Sequence, residues 1–345
     1  MRPAPNLDPV MNLSEPRIAQ LLGGFACRRI AVIGDVMLDR FFRGDVSRIS
    51  PEAPVPVVEI EEESEHPGGA ANVGYNLVEL GASPLLISVV GDDAAGEHLR
   101  LLLNALGIGD QGLVTDAARR TSEKTRIIAA SQHICRVDKE HRGEIAPEIE
   151  QRVLATLAER LDELDGIILQ DYNKGVITAS LIHSVVALAR EFGLPVHVDP
   201  KDRNFFEYRG VTVFKPNRKE AEDALRTSLR TDEDRRRGAR ELLRRLESDH
   251  VILTLGADGM MIAGRDEEPV LVPTRAMQVA DVSGAGDTVI ATLSTACAAG
   301  ASVREAAVIA NHAAGVVCAQ VGTVPVRFAE LRDALIDDCR ERVTT

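Results

Sequence analysis

Asp287 closes the stretch Asp281-Val282-Ser283-Gly284-Ala285-Gly286-Asp287-Thr288, just ahead of an apolar run from Val289 into Ala299. Glycines on both sides of one alanine let the backbone turn sharply at a helix start with its N–H groups uncovered. First-turn amides have no intrahelical acceptor, and the helix dipole adds partial positive charge, so the amides of 284–287 form an anion pocket. A carboxylate there would repel a bound phosphate unless it acts on the other reactant. Asp287 is therefore the candidate general base, taking the proton of an attacking hydroxyl while Gly284, Ala285 and Gly286 hold the phosphoryl group in transfer. The plainer reading is a strand-to-helix turn in which Asp287 only favours the helix start.

A site of this kind needs strands that end beside it. Arg29–Asp35 is an apolar run ending in Gly34-Asp35. Gly166–Gln170 is followed by Asp171-Tyr172-Asn173-Lys174-Gly175, and Pro195–Asp199 by Pro200-Lys201-Asp202-Arg203. In open α/β sheets the carboxyl ends of the strands line the ligand cleft, which makes Asp35, Lys174, Lys201 and Arg203 candidates. His197 has no partner at metal spacing and reads as a core histidine. Further strands are expected over 85–91 and 108–114, and helices over 97–106, 147–161, 178–192, 231–247 and 304–320, the last carrying Asn311. Leu242, Leu243 and Leu246 give the charged helix of 231–247 its inward face. This alternation implies an α/β fold with a mostly parallel sheet.

Two segments break the rhythm. Residues 39–65 and 121–138 are β-rich and read as hairpins of a lid, with Arg136 on one of them as a candidate anion ligand. Pro67-Gly68-Gly69-Ala70-Ala71-Asn72 places a helix N-terminus where its backbone can approach a ligand, and Asn72 can donate to and accept from hydroxyls. Val211–Phe214 delivers Lys215-Pro216-Asn217-Arg218-Lys219-Glu220, with Asn217 and Glu220 spaced as a capping box. Val251–Leu255 leads to Gly256-Ala257-Asp258-Gly259 and another strand over 260–262; such a turn admits a nucleotide or is an ordinary hairpin.

Composition limits the classes further. The 345 residues are 45% hydrophobic, with a net charge of −13 and 3% aromatics without Trp. A large core is supported, and nucleic acid or an anionic membrane is not an expected partner. Phosphate chemistry must then rest on local cations and a divalent metal. The five cysteines show no C-x-x-C spacing and read as reduced, which together with the lack of a signal-like N-terminus gives a cytoplasmic expectation. Residues 1–12, with three prolines, read as a loose arm.

Taken together, Gly-Gly-x-x-Asn at 68–72, Lys-Pro-Asn-x-x-Glu at 215–220, Thr-x-Gly-x-x-Gly at 254–259 and Gly-Ala-Gly-Asp at 284–287 resemble the ribokinase-like (PfkB) carbohydrate kinase family over roughly Arg29 to Gly322. The family's Asp-Thr-Thr-Gly-Ala-Gly-Asp is Asp-Val-Ser-Gly-Ala-Gly-Asp here, which leaves the anion pocket and base intact. Within the family, Gly-Asp-Val-Met-Leu-Asp-Arg at 34–40, Arg-Ile-Ser-Pro-Glu-Ala-Pro-Val-Pro-Val at 48–57, Gln-Asp-Tyr-Asn-Lys-Gly at 170–175 and Asp-Pro-Lys at 199–201 resemble the branch acting on D-glycero-β-D-manno-heptose 7-phosphate.

The resemblance implies a three-layer ribokinase-like sandwich with a small β-sheet lid: an arm and lead-in over 1–28, a kinase domain over 29–325 with lid segments near 39–66 and 121–138, and a C-terminal helix or tail over 326–345. It implies ATP and Mg²⁺ as cofactors, with Asn217, Arg218, Lys219 and Glu220 at the nucleotide and its metal, and Glu220 reaching that metal only indirectly. Thr254, Gly256 and Gly259 would line the ATP groove, and Asn311 would lie near the adenine. Asp35, Asp39, Gly68, Gly69 and Asn72 would hold sugar hydroxyls. The sugar phosphate would fall to Arg136, Lys174, Lys201 or Arg203, which the sequence does not rank. A homodimer through the lid is implied. No His-x-Gly-His occurs, so an adenylyltransferase activity found fused in some relatives is not expected. Kinases of another sugar, sugar phosphate or nucleoside share these motifs, and a catalytically silent sugar-binding protein is the reading from another class.

Overall fold

Along the strand Arg29–Gly34 neighbouring side chains enter different cores: Ile30 and Val32 join one buried cluster, Ala31 and Ile33 another. A pleated strand points alternate residues to opposite faces, so a strand apolar at every position needs cover on both. Helices above and below provide it, giving three layers.

The computed structural model of the chain describes residues 13–129, 132–274 and 280–344. Its first part runs α1 (Glu15–Gly23), β1 (Arg29–Gly34), β2 (Val36–Ile49), β3 (Pro56–Gly69), α2 (Ala70–Glu79), β4 (Ser83–Val90), α3 (Ala94–Ala105) and β5 (Leu113–Thr115). There follow β6 (Ser122–Ala129), β7 (Gln132–Lys139), α4 (Pro147–Ala158), β8 (Gly166–Gln170), α5 (Ala179–Glu191), β9 (Val196–Asp199) and β10 (Val213–Phe214). The rest is α6 (Arg218–Leu225), α7 (Asp232–Leu246), β11 (His250–Thr254), β12 (Met260–Gly264), β13 (Val270–Val272), α8 (Ala285–Ala298), α9 (Val303–Cys318) and α10 (Phe328–Thr344).

The large sheet has the order β13-β12-β11-β10-β9-β8-β1-β4-β5, parallel except where β12 and β13 join antiparallel at one edge. From β1 the strand order runs outward in both directions, to β4 and β5 on one side and to β8 through β11 on the other. The reversal lies between β1 and β8, and the crevice at their carboxyl ends is where such sheets bind ligands. One face is covered by α1, α2, α3, α8, α9 and α10, with Leu21, Leu77, Leu99, Ile290, Ile309 and Leu331 inward. The other is covered by α4, α5 and α7, with Val153, Leu181 and Leu242 inward. The expected α/β architecture is therefore present.

A second, four-stranded sheet, β3-β2-β6-β7, stands apart and is the lid. Its β2 pairs antiparallel with β3 and parallel with β6. The expected polar turn between the last two strands includes residues 130–131, which lie outside the described residues, as does the arm over 1–12.

Several elements differ from expectation. The lead-in contains α1, capped by the Ser14 side chain on the Arg17 amide and opened by a proline in its first turn. It packs with α10, and the Phe25 and Phe328 rings meet edge to face at 6.3 Å. Lead-in and C-terminal helix thus belong to the main core, because their apolar faces find each other. The strand expected over 108–114 shrinks to β5, since Gly107 and Gly109 both take positive φ and turn the chain first.

Candidate active site

Asp287 lies in the first turn of α8, 5% exposed. Gly284 caps that helix at φ +78°, where a side chain would be strained and a methyl would run into Thr323 and the Asn72 amide. Three neutral donors fix the carboxylate. Asn72 Nδ2 donates to Oδ2 at 2.7 Å, while Tyr172 Oη at 2.7 Å and Gln170 Nε2 at 3.2 Å donate to Oδ1. Burial pushes the Asp287 carboxyl up to about 6; hydrogen bonds from Asn72 and Tyr172 and the charge of Lys215 pull the other way, while nearby Asp199 pushes with burial. A carboxylate poised near neutrality suits proton transfer at cellular pH.

Around the base a charged network closes. Lys215 Nζ meets Asp199 Oδ1 at 3.0 Å, and Gln170 Nε2 bridges Asp199 Oδ2 at 3.1 Å to Asp287. Lys201 pairs with Glu220 and lies 5.6 Å from the centre of the Tyr172 ring. The anion pocket is narrower than expected, because the Ala285 amide already donates to the Val282 carbonyl at 3.3 Å. The amides of Gly286 and Asp287 meet no protein acceptor among the described residues.

From this network a groove of about 620 Å³ opens, lined on one side by Lys215, Asn217, Arg218 and Lys219 and on the other by Gly284, Gly286 and Asn311. Thr254, Gly256 and Gly259 line it as well. Gly259 has φ +92°, and a methyl there would collide with the Val272 carbonyl, so glycine is required. Gly286 leaves open a space beside Lys215 Nζ that a Cβ would enter at 3.8 Å. Volume, cations and free amides fit a nucleoside triphosphate. Among the described residues no group of three or more His, Cys, Asp or Glu side chains could cage a metal.

The other sequence candidates fall into distinct places. Asn217 and Glu220 do make the reciprocal capping box that opens α6. Glu220 places Oε2 on the Asn217 amide and Oε1 on Lys201, so its carboxylate orients Lys201. Asp35 is 1% exposed and accepts from the amides of Tyr172, Lys174 and Val176 at 2.9–3.0 Å. These bonds shape the loop that carries Tyr172.

Asp39, on β2, is bonded by Arg126 Nη1 at 2.5 Å, and a methyl at Gly68 would strike its Oδ2. Gly69, at φ +62°, caps α2 and passes so close to the Asp35 carbonyl that a side chain would collide. Asn311 donates to the Pro273 carbonyl at 2.7 Å at the groove wall. Lys174 reaches Glu140 at the lid, Arg203 Nη1 reaches the Arg142 carbonyl, and the exposed Arg136 pairs with Asp138. Lys201 lines the groove. His197 is buried against Ser294, with its imidazole pushed down to about 4 by burial.

Sequence reasoning missed Tyr172, Gln170, Asp199, Lys215 and Arg126 as site residues. Four of them stand at or just beyond strand carboxyl ends, and that position alone could have flagged them.

The family model for pfkB family carbohydrate kinases matches residues 28–327. The bifunctional protein HldE of Geotalea uraniireducens is 45% identical over 303 residues, 88% of this chain and 62% of that protein. Its counterpart from Caulobacter vibrioides is 46% identical over 317 residues, 91% of this chain and 65% of that protein. The chain thus spans somewhat under two thirds of the length of these curated relatives. Among solved structures, the tetrameric inhibited form of phosphofructokinase-2 from Escherichia coli has a TM-score of 0.73 at 18% identity, covering 90% of this chain and 98% of that one. Arabidopsis thaliana ribokinase complexed with ribose and ATP has a TM-score of 0.70 at 17% identity, covering 89% and 98%. These two share the ribokinase-like fold. The chain belongs to the pfkB family of carbohydrate kinases and is a sugar kinase.

Proposed function

We propose that this kinase phosphorylates D-glycero-β-D-manno-heptose 7-phosphate at O1, giving the 1,7-bisphosphate on the route to ADP-heptose and the lipopolysaccharide core. The observation that carries the reading is the loop after β8. It sets Tyr172 on the Asp287 carboxylate and, two residues on, Lys174 at the lid, so one short loop joins the proposed base to a cation suited to a distal phosphate. The wording of 34–40, 48–57, 170–175 and 199–201 supports the same substrate, as does the likeness to proteins named HldE.

In this reading Asp287 takes the proton of the anomeric hydroxyl while Asn72 and Gln170 keep its carboxylate oriented. The Gly286 and Asp287 amides and Lys215 stabilise negative charge on the phosphoryl oxygens. ATP, when bound, supplies that phosphoryl group, with Mg²⁺ offsetting its charge. Lys201, Asn217, Arg218 and Lys219 hold the phosphate end of the groove, and Asn311 the base end. Asp39, Gly68 and Gly69 shape the sugar side.

The chain acts as a homodimer through the lid. Val46, Ile49, Ile60, Ile134 and Val137 are exposed large apolar side chains on its strands, Ile49 at 62%, and such a patch calls for cover. A cytoplasmic location accords with ATP use and with five unbridged cysteines. No described helix is long and apolar enough to cross a membrane.

The test is ADP release with Mg²⁺-ATP against heptose 7-phosphate, fructose 6-phosphate, fructose, ribose and adenosine. Turnover confined to the heptose phosphate is expected. Preference for another acceptor discards the substrate, and silence on all five discards the reading.

A further inference from the structure

Three cations converge on one buried carboxylate where the lid meets the body. Glu140 follows β7, and its side chain is 5% exposed. Its Oε2 receives Lys174 Nζ at 2.7 Å and Arg142 Nη2 at 3.0 Å. Its Oε1 accepts no hydrogen bond at all; the nearest cation, Lys124 Nζ, stands 3.6 Å away. Beside them Arg119, 7% exposed, gives one N–H to the Lys174 carbonyl at 2.6 Å and leaves Nε and Nη1 without partners. Buried donors and acceptors are normally paired, so a cluster with spare donors and a half-used carboxylate is fitted to something other than that carboxylate.

Strand register shows which side of the lid the cluster occupies. Asp39 lies opposite Lys124, and Lys124 opposite Asp138, so these side chains share one face of the sheet. That face also carries Arg126 bonded to Asp39, and Gly68 packs against Asp39 there. It is the face that meets the loop of Tyr172 and Lys174. The Tyr172 end of the loop touches the base, and the Lys174 end touches Glu140.

We infer that Lys124, Lys174 and Arg119 form the subsite for a phosphomonoester on the acceptor sugar, and that Glu140 is a resident stand-in which the phosphate displaces. The inference rests on the phosphosugar reading above and selects among its candidates. Lys174 belongs to the subsite, Lys201 is held by Glu220 at the groove, and Arg136, on the same face of the lid opposite Arg126, is 56% exposed and paired with Asp138. A phosphate has three acceptor oxygens where the carboxylate uses one, and so answers the spare donors. Displacement of Glu140 also makes the lid's seat on the body depend on the substrate's phosphate.

The experiment is steady-state kinetics with heptose 7-phosphate and phosphate-free heptose, on Lys124→Ala, Lys174→Ala and Glu140→Gln. Each lysine variant should raise KM for the heptose phosphate roughly tenfold or more and shrink the preference over phosphate-free heptose, with KM for ATP held within about twofold. Glu140→Gln should lower KM for the heptose phosphate, because a neutral amide competes less for the lysines. An unmoved KM in Lys124→Ala, or a KM that rises in Glu140→Gln as it does in the lysine variants, overturns the subsite while leaving the substrate in place. Unsubstituted enzyme that turns over phosphate-free heptose and not its phosphate overturns the substrate reading itself.

Discussion

Tyr172 donates its phenolic proton to Asp287 at 2.7 Å, across a sequence separation of 115 residues. The hydroxyl comes from the carboxyl end of β8, the carboxylate from the first turn of α8, and the two elements pack directly against each other. Tyr172 and Gln170 both donate to Oδ1 and Asn72 to Oδ2, which leaves one lone pair of Oδ2 open to an acceptor hydroxyl. Tyr172 is a positioning residue, and burial beside Asp287 and Asp199 drives its own phenol well above its usual range, so it stays protonated.

The first expectation concerns the pH profile. Deprotonation of Asp287 near 6 should make kcat/KM rise with pH through that region and then level off. Tyr172→Phe removes a bond that favours the ionised carboxylate, so the acid limb should move to higher pH. The charged groups nearest Asp287, namely Asp199, Lys215 and Lys201, are untouched by that change. Asp171, also pushed up to about 6 by burial, is engaged by Tyr208 at 2.8 Å, and Asp171→Asn should leave the limb in place. An acid limb that stays put in Tyr172→Phe removes the tyrosine from control of the base.

The same carboxylate should weaken the fold. Its folded pKa lies above the unfolded value near 3.9, so its contribution is intact below about pH 4 and is lost as pH rises through 6. At pH 8 the ionised, buried group therefore disfavours folding by about 1–3 kcal/mol. Asp287→Asn should raise Tm at pH 8, with the gap closing toward pH 4. Equal Tm values across that range contradict the assignment.

Lys215 and Asp199 are a buried pair, 3% and 10% exposed, with the carboxylate further tied to Gln170. Lys215→Met strands that charge and should cost about 3–5 kcal/mol, read by chemical denaturation. Adding Asp199→Asn should restore much of the stability without restoring turnover, because the cation facing the phosphoryl group is still missing. Recovery of both would make Lys215 a structural residue only.

Gly68 separates sugar-side from nucleotide-side effects. A methyl there strikes Asp39 Oδ2 and Met37, so Gly68→Ala should disturb the Asp39–Arg126 bond at about 1–3 kcal/mol of strain. KM for the sugar should rise while KM for ATP holds. Equal rises in both would place Gly68 outside a dedicated sugar subsite.

What the sequence made legible were the local features. The capping box of Asn217 and Glu220 spans four residues and forms as read. The apolar runs ending in Asp35, Gln170 and Asp199 announced a parallel sheet, since only a strand covered on both faces is apolar throughout. The Gly-Ala-Gly turn announced the start of α8. What stayed hidden depends on topology. Asn72 and Asp287 are 215 residues apart and Gln170 and Asp287 117, and only the strand order at β1 and β8 joins them. The bonds that Asp35 makes to the loop of Tyr172 and Glu220 makes to Lys201 stayed hidden for a related reason, since each joins separate segments of the chain. Besides the strand-end positions, α1 carried an unused local signal, Ser14 with Pro16 close behind it.

The most direct test is kcat for ADP formation on heptose 7-phosphate by Asp287→Asn, with KM for ATP measured alongside. A fall of roughly 10²–10⁴ with ATP binding retained is expected of a lost general base. Turnover close to that of the unsubstituted enzyme would contradict the central claim and leave Asp287 as the helix-start residue of the plainer reading.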